Sequence, residues 1–426
     1  MKKSILLAIM SLCLALPFLI WFRTISWGMP YGLYLYDAGR LLGLVGFILI
    51  LFQYVFSSKL RIIEKGIGLD VLFSIHRKCG ALGLTFVFIH PVLLFLSGVV
   101  LGYTPLFPPL KVLGAITLLF LIVAAATAML QGMLGLKYET WIVIHRVSYI
   151  VFALGFIHSI FMGSDFYSRP LRIFWICMMC VYIAVVVYKV WHHFYVKGHP
   201  FQIANVSQET HNTWNLYFEG KHLDYVPGQF MIVQLVRKGK VSGPHPFTIS
   251  SSPTRDRLSI CVKSVGDFTS TIGDTRISDR AYIDAPYGMF SFLNHDAPHL
   301  VFIAGGIGIT PFVSMLRYIY DRKLERNIVL LWGNKTESDI AFREELDHME
   351  REMSTLKIVH VLSEQNDWHG EKGWISAEKL KRYVADFEGS QFFICGPPAL
   401  MTSVVHILRE LKVEKSRIHS ERFALR

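Results

Sequence analysis

"SIHRKCGALGLTFVFIHP" runs from residue 74 to residue 91 and carries His76 and His90 with an almost wholly apolar stretch between them. Two imidazoles in so apolar a segment require partners, because a buried polar group without a bond is costly. The flanking sequence says what kind of segment this is. Long apolar runs fill the first half of the chain at about 4–22, 38–57, 70–101, 110–134, 141–163 and 171–195. Each is near the ~20 residues that a helix needs to cross a bilayer. The first run follows "MKK" and lacks a clear small-residue cleavage site, so it reads as a retained membrane helix rather than a removed signal.

Composition agrees. Of the 426 residues, 52% are hydrophobic, and the mean hydropathy is +0.40, which excludes a disordered chain. The net charge of +11 raises the question of nucleic acid. Residues 1–198 hold 16 Lys and Arg against 5 Asp and Glu, whereas residues 199–426 hold 27 of each. The excess lies entirely in the apolar half, where it fits membrane anchoring and not nucleic acid. Lys2, Lys3, Lys59, Arg61, Lys65, Lys137, Lys189 and Lys197 fall on one side of the spans, and Arg23, Arg40, Lys111, Arg169 and Arg172 on the other. That bias puts both termini in the cytoplasm. The six cysteines are scattered, and the one C-x-x-C, Cys177 and Cys180, sits in an apolar run and reads as packing.

The first 191 residues contain four histidines, His76 and His90 on the third run and His145 and His158 on the fifth. Fourteen helical steps rise about 21 Å and thirteen about 20 Å. The third and fifth runs cross in the same direction, so His76 and His145 share a depth near the cytoplasmic face, and His90 and His158 share one near the outer face. Each pair can supply two axial imidazoles to one iron, giving two stacked b-type haems. The phase is imperfect, since thirteen steps at about 100° miss the starting face by about 140°. The fifth run therefore has to bend, near Gly155, or present its histidines at different angles.

After about residue 197 short alternating runs appear, "WNLYFEG", "QFMIVQLV", "RLSICVKS" and "AYIDAPYG", which read as a small antiparallel β-barrel. From about 298 strands alternate with helices, as in "HLVFIAGG" before "TPFVSMLRYIYD" and "SQFFICG" before "PALMTSVVHILREL". That pattern is a doubly wound α/β domain. "GGIGITPF" (305–312) follows a strand and opens a helix. Gly305, Gly306 and Gly308 admit a phosphate close to the backbone, Thr310 suits the N-cap, and Pro311 suits the first turn.

"VPGQF" (226–230), "HPFTISSSP" (245–253), "VKSVGDFT" (262–269), "GGIGITP" and "CGPP" (395–398) occur in this order. With them the chain resembles the NADPH oxidase and ferric reductase family, in its bacterial NADPH oxidase members, along nearly its whole length. The resemblance implies a membrane all-α six-helix bundle (1–197), an antiparallel β-barrel FAD domain (198–296) and an α/β doubly wound NAD(P)H domain (297–426) of ferredoxin–NADP reductase type. It implies that His245, Pro246, Phe247 and Thr248 hold FAD, with His245 beside its phosphates and Thr248 near the flavin N5. Lys263, Gly266 and Thr269 match the next FAD loop, and Phe423 in "ERFALR" matches the aromatic stacked on the flavin. Three residues follow Phe423, and Ala285 stands where the family commonly has Gly; both are departures. Gly305, Gly306, Gly308, Thr310, Pro311, Cys395, Gly396 and Pro397 match the NAD(P)H cleft, and Lys335 and Arg343 are the cations nearest a 2′-phosphate.

The expectation is a multi-pass plasma-membrane enzyme that takes electrons from NAD(P)H through FAD and two haems to dioxygen, giving superoxide. An extracytoplasmic ferric reductase shares every motif. A histidine-lined channel with a nucleotide-binding regulatory domain is a rival of another class, separated by haem absorbance. An anchored soluble-type flavin reductase is a further rival, for which His90 would be dispensable. No segment marks an obligatory protein activator.

Overall fold

The structure is a computed structural model and describes residues 3–421 apart from 24, 26, 27, 104, 105, 107, 137 and 164–166. It divides into two compact units, residues 1–193 and 194–426.

The first unit is helical: α1 (Lys3–Phe22), α2 (Tyr31–Phe56), α3 (Arg61–Ile67), α4 (Leu69–Val100), α5 (Pro109–Met129), α6 (Tyr138–Arg146), α7 (Ser148–Met162) and α8 (Arg169–Gly198). Six spans are long and apolar enough to cross a membrane, with α6 and α7 together making one of them, Thr140–Met162. Large apolar side chains lie exposed around the outside, Leu12, Phe88, Leu119, Phe161 and Val187 among them, as lipid-facing surfaces require. Cys177 and Cys180 also lie exposed on α8. They face outward rather than packing inside, because three steps along a helix keep both on one side.

The first helix is anchored: Leu6 and Met10 are buried with Ile48, Phe52, Phe56 and Trp175. Helices α2 and α4 approach closely because Gly46 faces α4. A Cβ there would lie 2.7 Å from Val87 Cγ2. Small residues let membrane helices make the van der Waals contact that replaces the hydrophobic effect in lipid. Phe47 stacks on Phe152 at 4.5 Å and lies 5.5 Å from Trp175. The hydroxyls of Tyr54 and Tyr182 donate to the Ser148 and Tyr149 carbonyls at 2.6 Å each. Those carbonyls sit beside the interruption between α6 and α7. No break occurs at Gly155, which is inside continuous α7; the helix is interrupted at Val147, where the backbone stays in the right-handed helical range. The interruption falls two residues from His145.

The second unit contains two sheets. Strands β1 (Phe201–Thr210), β2 (Thr213–Glu219), β3 (Phe230–Arg237), β4 (Lys240–Val241), β5 (His245–Thr248), β6 (Leu258–Lys263) and β7 (Arg280–Tyr287) form an antiparallel sheet of order β4-β3-β7-β1-β2-β6, with β5 on β3. An Ile249–Ile260 bridge joins its ends into a barrel. Then follow β8 (His299–Gly305), α9 (Thr310–Asp321), β9 (Asn327–Asn334), α10 (Arg343–Glu352), β10 (Leu356–Leu362), β11 (Glu371–Lys372), α11 (Ala377–Tyr383), β12 (Ser390–Cys395), α12 (Pro398–Glu410) and β13 (Ile418–Ser420). Their sheet is parallel, of order β11-β10-β9-β8-β12-β13. The strand order reverses between β8 and β12, and ligands bind at the carboxyl ends of strands at such a point.

Lys263 of the barrel reaches Asp339 of the parallel-sheet half at 3.0 Å. Burial pushes the Asp339 carboxyl up, but Lys263 and the Thr336 hydroxyl outweigh it and hold it below the ordinary carboxylate range. A depressed folded pKa stabilises fully above the unfolded value, about 3.9 for Asp, and is lost as pH falls through the folded value. Thermal unfolding of Asp339→Asn across pH 3 to 8 is therefore expected to show a constant deficit from neutral pH down to about pH 4, and convergence with the parent below it. A deficit growing toward pH 3 contradicts this.

Candidate functional site

The four membrane histidines occupy two levels. At the inner level the rings of His76 and His145 have centroids 6.2 Å apart. A metal–imidazole bond is about 2 Å and the ring centre lies about 1 Å further, so two rings across one metal stand about 6 Å apart. At the outer level His90 and His158 lie within electrostatic reach of each other.

What holds three of the four rings is a backbone carbonyl. His90 Nδ1 meets the Gly39 carbonyl at 2.8 Å, and His158 Nδ1 meets that of Leu110 at 2.7 Å. An imidazole that donates from Nδ1 keeps its Nε2 lone pair for a metal. In a helix the carbonyl of residue i is shaded by the side chain at i+4. Here those positions are Gly43 and Gly114, and the rings occupy the space a side chain would take. A Cβ on Gly43 would lie 2.8 Å from His90 Nδ1, and one on Gly114 2.6 Å from His158 Cε1. At the inner level the nearby carbonyls are those of Gln53, beside His76, and Ala124, beside His145, and their i+4 residues are Ser57 and Ala128. There the His145–Ala124 contact is long, 3.5 Å, and His76 Nδ1 is buried with no partner among the described residues. Four imidazoles at two depths, three of them turned to free Nε2, fit two bis-imidazole iron centres. No cluster of three or more acidic, His or Cys ligands for a bare metal ion occurs among the described residues. Lys189, a half-buried cation on α8, donates to the Ser57 carbonyl at 3.1 Å and to the Tyr149 hydroxyl at 2.5 Å, one turn beyond His145.

In the second unit β5 carries His245, Pro246, Phe247 and Thr248 along β3. The His245 ring stacks on Phe268 at 3.8 Å, and the Arg237 guanidinium lies over Phe268 at 5.7 Å. This cationic and aromatic ledge suits a dinucleotide phosphate and ring. The Thr269 hydroxyl accepts from the Val265 and Gly266 amides at 3.0 and 2.9 Å and shapes that loop. Lys263 is held by Asp339, as above. Phe423 lies outside the described residues.

The glycine loop leaves β8 as a 3-10 turn, Gly306–Ile309, and α9 begins at Thr310. Thr310 is not the N-cap: its hydroxyl donates to the Ile307 carbonyl at 3.1 Å, since the 3-10 turn already supplies helical backbone before it. Pro311 stands in the first turn, as expected. Gly306 has φ +51°, and a Cβ on Gly308 would lie 2.4 Å from the Cys395 carbonyl, so the loop nests against "CGPP" at the reversal between β8 and β12. There Gly396 and Pro397 flank Gly305. Cys395 is fully buried, and burial, with Glu421 beside it, pushes its thiol well up. Its thiol is a packing group at the edge of the cleft.

Residues 42–156 match the ferric reductase like transmembrane component, 202–291 an FAD-binding domain and 302–406 the oxidoreductase NAD-binding domain. The glycine betaine monooxygenase reductase subunit of Pseudomonas aeruginosa is 30% identical over 47% of this chain and 56% of its own, so the chain spans little more than half of that relative. NADH-cytochrome b5 reductase 1 of Candida glabrata is 31% identical over 48% of this chain and 76% of its own. The flavohemoglobin structure from Malassezia yamatoensis is similar in fold, with TM-score 0.50 and 16% identity over 91% of this chain and 99% of its own. A ferric-reductase-like membrane component followed by FAD and NAD modules defines a transmembrane, NAD(P)H-dependent flavin oxidoreductase. The chain has the architecture of the NADPH oxidase and ferric reductase family and belongs to it.

Lys335 follows β9 but is paired with Glu364 at 2.9 Å, which raises its pKa. Arg343 is paired with Glu337 and with Asp347. Both cations that the sequence offers for a 2′-phosphate thus face carboxylates. NADH is expected to be used alongside NADPH. Lys335→Ala should raise KM for NADPH more than for NADH, and Glu364→Gln should shift kcat/KM toward NADPH. Equal effects on both dinucleotides in flavin-reduction kinetics would remove Lys335 from 2′-phosphate recognition.

Proposed function

We propose that the protein is a plasma-membrane NAD(P)H oxidase that passes electrons from cytosolic NAD(P)H, by way of FAD and two b-type haems, to dioxygen on the outer side, producing superoxide. Both termini lie in the cytoplasm, and the domains are 1–197, 198–296 and 297–426. The observation that carries this reading is the pair of histidine levels inside a ferric-reductase-like component joined to flavin and nicotinamide modules. His76 and His145 would hold the inner iron, and His90 and His158 the outer one. When bound, FAD takes a hydride and the haems move single electrons, which lets a two-electron donor feed a one-electron acceptor.

The chain's own residues bind and orient. The Gly39 and Leu110 carbonyls hold His90 and His158 in the tautomer with Nε2 free. Phe47 of α2 stacks on the buried Phe152 of α7 and ties these two helices together. The loop Gly305–Gly308 and the N-terminus of α9 receive the dinucleotide phosphates, where backbone amides and the helix dipole favour negative charge. Cys395, Gly396 and Pro397 wall the nicotinamide side, and His245 to Thr248 bind FAD. Haem propionates would find Arg77, Lys78, Arg146 and Lys189 at the inner level.

An extracytoplasmic ferric reductase is the second reading, and the match to a ferric reductase like component supports it. Oxygen consumption and superoxide formation with NADH or NADPH, with and without a ferric chelate, distinguish the two. Pyridine haemochromogen analysis should give about two haems per chain. His90→Ala, and Gly114→Ala, whose Cβ displaces the His158 ring, should lower this toward one and abolish reduction of an outside acceptor. Flavin bleaching by NADH should survive in both. One haem or none in the parent protein would overturn the reading.

A further inference from the structure

Arg317 lies on α9, seven residues beyond Thr310, and is 4% exposed. Its Nη1 donates to the Ser250 carbonyl at 2.8 Å, while Nε and Nη2 grip the two carboxylate oxygens of Glu345 on α10 at 2.9 and 2.5 Å. One turn earlier on α9, the Ser314 hydroxyl donates to the Ser251 carbonyl at 2.6 Å. Ser250 and Ser251 follow His245–Thr248 after one residue, Ile249. They are buried, bonded through their own hydroxyls to Ser259 and Tyr225 at 2.9 Å each. Burial pushes the Glu345 carboxyl up, but Arg317 and Arg255 outweigh it and hold it below the ordinary carboxylate range. The guanidinium also lies over the Phe342 ring at 5.0 Å.

The helix whose first turn opens from the dinucleotide loop is therefore fastened, by its inner face, to the backbone that continues the FAD strand. A buried charge is normally a liability unless every donor is used. Here the fork is used on both sides, and its planar geometry fixes angle as well as distance. We infer that Arg317, with Ser314 and Glu345, is a positioning residue for hydride transfer: it sets the spacing between the nucleotide-binding loop and the flavin-binding strand. Arg317 touches neither ligand in this role. It acts through Ser250 and through α9. The inference concerns only the NAD(P)H-to-flavin half of the electron path and is independent of the haems and of the final acceptor.

The test uses the full-length, FAD-loaded protein in detergent, with anaerobic stopped-flow reduction by NADH. Arg317→Lys keeps the charge but not the fork. A displacement near 1 Å can cost about 100-fold in a positioned reaction, so the flavin-reduction rate per bound FAD is expected to fall at least about tenfold. KM for NADH should stay within about twofold, because the dinucleotide's own contacts remain. The long-wavelength absorbance of nicotinamide stacked on flavin should weaken in parallel. Glu410→Gln, in an exposed pair on α12, serves as the control and should leave all three unchanged. If Arg317→Lys does not retain FAD, Ser314→Ala and Glu345→Gln decide, each expected to slow reduction in the FAD-loaded fraction. A parent-like rate per bound FAD in the retained variants, with only the melting temperature lowered, overturns the inference and leaves Arg317 a stabilising residue.

Discussion

An imidazole inside a bilayer has two nitrogens to satisfy and no water to satisfy them with. The first unit is arranged around that constraint. His90, His158 and, at longer range, His145 turn Nδ1 toward a helix carbonyl, and the two short bonds fall where the residue one turn ahead has no side chain. Gly43 and Gly114 open the carbonyls of Gly39 and Leu110 in this way. The same loss of side chains draws α2 toward α4 and α5 toward α7. The two helix pairs repeat one arrangement: Gly39 and Gln53 on α2 stand fourteen residues apart, as do Leu110 and Ala124 on α5. The inner positions lack the glycine, and there the bonds are long or unmade. The two levels are thus chemically unequal, since a hydrogen bond at Nδ1 raises the basicity of Nε2 as a ligand.

The spacing of the histidines differs between the two spans that carry them. His145 and His158 are thirteen residues apart where His76 and His90 are fourteen, and a straight helix would turn one of the fifth-span rings away from its partner. The helix is interrupted at Val147, two residues from His145, with the backbone still in the right-handed helical range. The Ser148 and Tyr149 carbonyls in the first turn of α7 accept additional bonds from the Tyr54 and Tyr182 hydroxyls. Sequence phase raised the question of a bend near Gly155. The interruption at Val147 was not legible, because no glycine or proline marks it.

Other parts divide in the same manner. The spans, the two sheets and the glycine loop were legible because hydropathy, alternation and short-range glycine spacing are local signals. The two- and three-residue strands β11 and β13 are too short to carry a period. The helix α11 is likewise brief, and β1 alternates buried with polar residues less regularly than its neighbours. Thr310 looked like an N-cap because the preceding 3-10 turn is invisible in sequence. The pairing of Lys335 with Glu364 was hidden for another reason. The residues are far apart in the chain and meet because β9 and β10 run parallel, with Glu364 N bonded to the Lys335 carbonyl at 2.9 Å. A cation counted as available in the sequence is occupied in the fold.

Arg317 is the strongest case of a role written in tertiary contacts. In "TPFVSMLRYIYD" it reads as a solvated arginine on an amphipathic helix, yet it is among the most buried charges in the second unit. Replacing such a group by an apolar one is often harmless to stability, so stability alone gives weak reason for an arginine there. Geometry gives a better one. The flavin strand and the nucleotide loop belong to different sheets, and apolar contact between sheets resists separation more than it resists sliding. A planar fork anchored to a carbonyl on one side and a carboxylate on the other resists sliding as well. Hydride transfer tolerates little error in distance or angle, so a directional fastening is what this interface needs, and α9 carries it within two turns of the dinucleotide loop.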